Sequence, residues 1–355
     1  MKKDVFLSAS RIKTAKDCSW TYWCKYHLKL PDSSNDGASM GWICHLIFEI
    51  LGNPRHKKHY KKILKENNIW SSDSIKKLVI YHAKKLSVNN DTCLDQINEM
   101  TLKGLKYDFF GDTNSKPSQS ISEENFEIRV EQEGKRYNIR GFIDKLFFYK
   151  KESRAVIRDF KTNKKIYKGK EVTDNMQSLI YVLAVKHLYP EFVKRQMEFL
   201  FLRHPLQADD LFNEKGPGYM CADTVTDEEL EGLEIQLSSI QEYLESFTEK
   251  IAVSNYAFDQ HQENRGYPKD GTFGGRLMCG KDGPKISKGK PVLDENGEMV
   301  MAYICPFRKA RDYFVILDDS GNVVSSADNE IDLEAKIKDN QHIEKREYAG
   351  CPRHL

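Results

Sequence analysis

Two apolar runs, Phe142 to Tyr149 and Ala155 to Phe160, stand either side of the charged turn Lys150-Lys151-Glu152-Ser153-Arg154. That arrangement confines the segment to a β-hairpin. Asp144 lies in the first run and Asp159 near the end of the second, so antiparallel pairing brings both to one end of the sheet. Lys161 follows Asp159 by two residues and shares its face. Two carboxylates and an ammonium then converge at one corner. Such a set suits a hard divalent cation held on oxygen, with a lysine beside it to steady a water or a growing negative charge. Asp and Lys are also common at solvated strand ends, so the triplet gains its weight from residues elsewhere.

The 355 residues can bury a large core in one elaborated domain or in two. Lysine and arginine total 55 against 53 acidic residues, so any nucleic-acid-binding surface has to be local. No apolar run approaches the length of a membrane span, and MKKDVFLSASRIK lacks the apolar core of a signal peptide. The expectation is a soluble intracellular protein with no membrane partner. Eight cysteines scattered over so long a chain are expected as thiols or metal ligands rather than disulfides.

Residues 8–30 carry Ser8 or Ser10 as a helix cap, then Trp20, Tyr22, Trp23 and Tyr26, and are expected as a short, tightly packed helix containing Cys18 and Cys24. PDSSNDGA, residues 31–38, is a loop. Ser39 to Leu51 is an apolar helix in which His45 and Glu49 share one face; burying either without a partner costs several kcal/mol, so the two need a common reason. Residues 53–117 read as a helical insertion with a basic stretch, RHKKHYKKILKEN, and helices near 74–86 and 94–110. Residues 112–122 read as a polar linker. Phe126 to Val130 and Tyr137 to Ile143 frame a turn at Glu133-Gly134, a second hairpin that runs into the first.

A helix is expected over 175–188 with Gln177 and Tyr181 one turn apart, then a strand over 196–202, an irregular stretch to Ala222, and a long helix from Thr226 to Phe247 opened by a Thr-x-x-Glu capping box. Helix, three strands, helix and strand in that order describe an α/β core with a mixed sheet. Residues 264–290 are rich in Gly, Lys and Asp, and Pro291 to Tyr303 resembles a hairpin around Asn296-Gly297. There is no Walker A pattern, hence no helicase motor on this chain.

Five segments, in order, resemble the RecB-like branch of the PD-(D/E)XK nuclease superfamily: SASRIKTAKDCSWTYWCKYHLKLP, GWICHLIFEIL, GFIDKL, IRDFKTNKK and NMQSLIYVL. The resemblance covers residues 5 to about 205 and implies a restriction-endonuclease-like α/β core, its mixed central sheet flanked by helices. It places His45, Asp144, Asp159 and the backbone carbonyl of Phe160 as ligands of Mg²⁺ or Mn²⁺, Lys161 as the catalytic lysine, and Gln177 and Tyr181 at the active site, with Glu49 in a supporting role. AddB-type subunits and CRISPR-associated exonucleases of that branch carry a [4Fe-4S] cluster. Cys18 stands at the first ligand position, and Cys279, Cys305 and Cys351 would supply the rest, with Cys24 as a substitute. The usual closing Cys-x2-Cys-x5-Cys is missing, since Ala302 and Arg311 stand at two of its places, so a zinc site and plain thiols stay open.

The organisation implied is an N-terminal segment, 1–38, packed on a C-terminal lobe; a nuclease core, 39–255, with its insertion at about 53–117; and a cysteine-bearing lobe, 256–355. The activity implied is metal-dependent DNA hydrolysis, by an exonuclease on single strands or duplex ends in recombination, repair or replication. It would work near the nucleoid, alone or beside a separate helicase, recombinase or annealing protein. A non-catalytic DNA-binding subunit and a structure-selective endonuclease are the alternatives.

Overall fold

The computed structural model describes residues 4–32, 35–168, 171, 175–207, 215–222, 224–257, 279–280, 283–294 and 297–354. The chain divides into two compact units: residues 1–9 with 34–242, and residues 10–33 with 243–355.

The first unit is built on a five-stranded sheet in the order β1 (Gln119–Gln132), β2 (Lys135–Tyr149), β3 (Arg154–Lys161), β4 (Lys194–Phe201) and β5 (Tyr219–Cys221). Only β3 and β4 run parallel, which requires a crossover; Met176–Leu188 supplies it as a helix. With helices on the sheet, this is the mixed α/β architecture of a restriction-endonuclease-like fold.

Among the described residues the α-helices in chain order are α1 (Ala9–Asp17), α2 (Ser19–Tyr22), α3 (Asp36–Gly52), α4 (Lys57–Glu66), α5 (Asp73–Lys85), α6 (Asp91–Lys106), α7 (Met176–Leu188), α8 (Asp227–Glu245), α9 (Glu249–Ala252) and α10 (Ile331–Glu334). Asn35 caps α3 by accepting from the Ala38 N–H. Ile43, Cys44, Ile47, Phe48 and Leu51 of α3 are buried in a core shared with α4, α5, α6 and the sheet residues Phe160 and Leu200. The capping box that opens α8 is made in both directions, Glu229 N–H to Thr226 Oγ1 at 3.2 Å and Thr226 N–H to Glu229 Oε2 at 2.8 Å.

Three expectations are corrected. Residues 119–122 belong to β1 and not to a linker; the strand has a neighbour on one side only and is half-exposed along much of that stretch, so it carries no apolar run. Residues 8–30 form α1, α2 and a π-helical turn (Trp23–His27) instead of one helix. The chain breaks at Cys18, extended at φ −161° and ψ 112°, where the Ser19 N–H donates to the Asn255 carbonyl and the Ser19 hydroxyl to the Ala252 carbonyl. The stretch before Ala222 contains β5. Most of the Gly- and Lys-rich stretch, and Asn296 of the hairpin turn, lie outside the described residues. The flanks of that turn do bond as a hairpin, Val300 N–H to the Val292 carbonyl at 2.9 Å.

In the second unit Trp20 Nε1 donates to Tyr348 Oη at 2.7 Å and the Arg311 guanidinium to the Pro31 carbonyl, tying residues 10–33 to the C-terminal part. A three-stranded sheet sits there, with β6 (Arg311–Leu317) between β7 (Val323–Ala327) and β8 (His342–Tyr348). Among the described residues no helix is long and apolar enough to cross a membrane.

Candidate active site

The two-residue turn at Glu133-Gly134 sets the register of β1 on β2, with Gln132 facing Lys135. Nine residues further along each strand, Glu123 and Asp144 face one another between the pairs Ser122–Lys145 and Glu124–Ile143. On the other side of β2 the register ends at Lys145–Arg158, so one step on Asp144 faces Asp159 of β3. Three carboxylates thus occupy one row across three adjacent strands. Like charges directly opposite destabilise a sheet unless a cation sits between them.

The helix α3 lies over this row. Its residues Trp42, His45, Leu46 and Glu49, spaced i, i+3, i+4 and i+7, line a cleft of about 650 Å³ together with Glu123, Asp144, Asp159, Lys161, Gln177 and Tyr181. Gly41 permits the approach: a Cβ there would stand 2.5 Å from Thr162 Oγ1, just beyond the end of β3.

His45 Nδ1 stands 3.1 Å from Asp144 Oδ1, and Asp144 Oδ2 accepts from the Phe160 N–H at 2.7 Å. Donor atoms of His45, Glu123 and Asp144 gather within 4.8 Å of one another, the spacing a single cation needs. Asp159 is held differently. Its Oδ1 accepts from Gln177 Nε2 at 2.7 Å, and its Oδ2 stands 2.7 Å from the Lys161 ammonium. Lys161 also donates to Gln177 Oε1 at 2.6 Å, and Gln177 Nε2 to Tyr181 Oη at 2.9 Å. The amide therefore locks lysine, carboxylate and phenol into one unit on α7 and β3.

The electrostatics follow from this crowding. Burial opposes a charged imidazole at His45, but Asp144 outweighs it and pushes His45 up to about 9. Burial, and then the Asp144 charge, push Glu123 up to about 7. Lys161 is held above the ordinary lysine range because Asp159 beside it outweighs its burial. Burial raises Asp159 against the pull of Lys161.

Glu123 was not among the residues singled out from sequence, although the turn register could have found it. Its backbone has φ +55°, a left-handed conformation that costs a non-glycine residue about 1 kcal/mol or more. Phe160, expected to contribute its carbonyl, lines the cleft and packs its ring on Phe48 at 4.2 Å. Glu49 lines the cleft outside the close donor trio.

In the second unit Cys18, Cys279, Cys305 and Cys351 line one cavity with Trp20 and Phe307. Burial, with the neighbouring thiols adding to it, pushes Cys279 up to about 11. Cys24 does not line that cavity; it is buried with its sulfur 3.5 Å from Tyr348 Oη, and burial pushes it up to about 12.

Compared with known families, residues 6–269 match the family described as the PD-(D/E)XK nuclease superfamily. No curated protein matches the chain.

Proposed function

The chain belongs to the PD-(D/E)XK nuclease superfamily, and from that premise we propose that it is a Mg²⁺- or Mn²⁺-dependent deoxyribonuclease of the RecB-like branch, an exonuclease serving recombination or repair. The observation that carries this is the donor trio His45, Glu123 and Asp144, with the Lys161–Asp159–Gln177 unit on the same cleft. The set mixes imidazole nitrogen with carboxylate oxygen, which fits Mg²⁺ or Mn²⁺. Asp159 and the Phe160 carbonyl would complete the set that holds the cation.

A bound cation would supply charge opposite the phosphate and acidify a water. Lys161, aimed by Asp159 and Gln177, orients the attacking water or takes up charge forming on a phosphate oxygen. Tyr181, kept protonated by burial and by Asp159, accepts from Gln177 and would offer its hydroxyl proton to the phosphodiester backbone. No nucleophilic side chain is required, so the reaction is direct hydrolysis of a phosphodiester.

The cysteine cavity supports the second cofactor proposed. Cys18, Cys279, Cys305 and Cys351 set four soft donors around that one cavity, a set that a tetrahedral zinc would also accept. A [4Fe-4S] core would take Cys18, Cys279, Cys305 and Cys351 as its four soft ligands. It would act as a structural tie inside the second unit. An intracellular setting beside nucleoid DNA, with a separate helicase, recombinase or annealing protein, goes with this function.

The test is end-labelled DNA incubated with Mg²⁺, Mn²⁺ or EDTA. Shortening of labelled strands from an end, abolished by EDTA and by Asp144→Asn or Lys161→Ala, is expected. Cleavage that survives both substitutions removes the catalytic assignment. Binding without cleavage under every cation makes the protein a DNA-binding subunit, and internal cuts make it an endonuclease.

A further inference from the structure

Resting on the nuclease reading, we propose that Trp42, Phe142 and the Tyr81 face of α5 form a base-stacking track that makes single-stranded DNA the substrate. Among the described residues these are the exposed large aromatics of the first unit, at 49%, 59% and 61% exposure. Rings this large are ordinarily buried, and exposed ones grouped together mark a surface waiting for a partner. Here they are grouped around the cation donors.

Trp42 and Phe142 both line the cleft that holds His45, Asp144 and Lys161. Trp42 precedes His45 by three residues on the same face of α3. Phe142 precedes Asp144 by two on β2, so both point to the same face of the sheet. Each ring is therefore one helical turn or one pleat, about 5–7 Å, from a residue proposed to hold the cation. That is one or two steps of a nucleotide chain, given about 3.4 Å per stacked base.

The track continues away from the cleft. His82 of α5 packs on Trp42 with ring centres 4.9 Å apart, and Tyr81 meets His82 edge-on at 4.9 Å. Tyr81 is flanked on its helix by the exposed Lys77, Lys84 and Lys85, at i−4, i+3 and i+4. An exposed ring with ammonium groups a turn to either side pairs a stacking platform with phosphate partners, which is the pattern that grips single strands without reading sequence. In a duplex the bases are already stacked and paired, so the rings gain nothing from it. The single strand is the form that repays these exposed surfaces.

The experiment uses the full chain with a fluorescent oligothymidine, its duplex with oligoadenosine, and the matching oligouridine. Binding is measured in EDTA, and cleavage in Mg²⁺. The wild-type protein is expected to bind the single DNA strand at least tenfold tighter than the duplex. Trp42→Ala, Phe142→Ala and Tyr81→Ala are each expected to weaken that binding and raise KM about tenfold, leaving duplex binding unchanged. Trp42→Phe and Phe142→Tyr, which keep a ring, are expected to stay within about threefold of wild type. Unaltered unfolding temperatures will show that the exposed positions tolerate the changes.

Equal binding of single strand and duplex overturns the inference, as do alanine variants that bind as wild type or lose both substrates alike. Tighter binding of oligouridine overturns the DNA assignment. Failure here is distinct from failure of the nuclease reading. A protein that cuts DNA without ring dependence sinks only the track, whereas one that grips single strands through the rings and cuts nothing under any cation sinks only the nuclease.

Discussion

A cation at the donor trio would have to compete with protons, and this has a measurable consequence at His45 and Glu123. Both are raised in the folded protein, His45 to about 9 and Glu123 to about 7. A cation can use either only after its proton leaves. Affinity for Mn²⁺ is therefore expected to climb up to tenfold per pH unit between pH 7 and 9, and more steeply below 7 where Glu123 also releases a proton. The stability sign agrees. A raised folded-state value means that each group stabilises the metal-free protein fully below its unfolded value and loses that contribution as pH rises, through about 7 for Glu123 and about 9 for His45. Lys145, lowered to about 7 by burial and by Arg158, has the opposite slope from pH 7 to 10.5. The quantity to measure is thus the difference in Tm with and without Mn²⁺, in which Lys145 cancels. This increment is expected to grow from pH 6 to 9 and to shrink in Glu123→Gln. A flat increment would remove the imidazole and Glu123 from the ligand set. Of these residues, the acidic corner was legible from the hairpin pattern, and His45 from its shared helix face with Glu49 together with the family resemblance. Glu123 was not, since β1 is a polar edge strand and only its register, counted from the Glu133-Gly134 turn, puts it opposite Asp144.

At the scale of elements, the site depends on how closely α3 approaches the end of β3. Gly41→Ala puts a Cβ 2.5 Å from Thr162 Oγ1. Overpacking of that kind costs about 1–3 kcal/mol unless the hydroxyl yields, and a displaced α3 carries His45 away from Asp144. Chemical denaturation is expected to show a loss in this range, with weaker Mn²⁺ binding. Gly41→Ala combined with Thr162→Ala is expected to recover most of both, because the clashing oxygen is gone. No recovery in the double variant would place the role of Gly41 elsewhere. The opposite side of the sheet is held by a buried pair: Arg158 Nη2 meets Glu198 Oε2 at 3.0 Å, its Nη1 donates to the Asp108 carbonyl at 2.6 Å, and Tyr219 Oη donates to Glu198 Oε1 at 2.8 Å. Arg158→Met leaves Glu198 charged and buried, and is expected to cost about 3–5 kcal/mol in denaturant unfolding. A loss below 1 kcal/mol would mean that Tyr219 and water suffice for Glu198. The sequence disclosed that Arg158 and Asp159 alternate in direction on β3, but a partner forty residues away on β4 is a matter of sheet order, which periodicity does not encode.

At the scale of the whole chain, the two units carry separate side-chain clusters, and the cysteines allow the separation to be tested. Cys18 comes from the break between α1 and α2, and Cys279, Cys305 and Cys351 from positions up to 333 residues away in sequence, yet all four line one cavity within residues 10–33 and 243–355. No spacing rule could have joined them, because the C-terminal three lack the compact pattern that iron–sulfur ligands usually show; the fold gathers them instead. Protein purified without oxygen is expected to be brown and to contain about four irons, given the [4Fe-4S] core proposed. Cys351→Ser and Cys18→Ser should each lower iron content and Tm, while the pH-dependent Mn²⁺ affinity set by His45, Glu123 and Asp144 persists, since those ligands lie wholly in the other unit. A colourless protein with one zinc would replace the cluster with a tetrahedral four-cysteine site. A colourless protein without metal would leave four thiols gathered by packing alone. Loss of Mn²⁺ binding in the cysteine variants would show that the first unit cannot shape its cation site without the second.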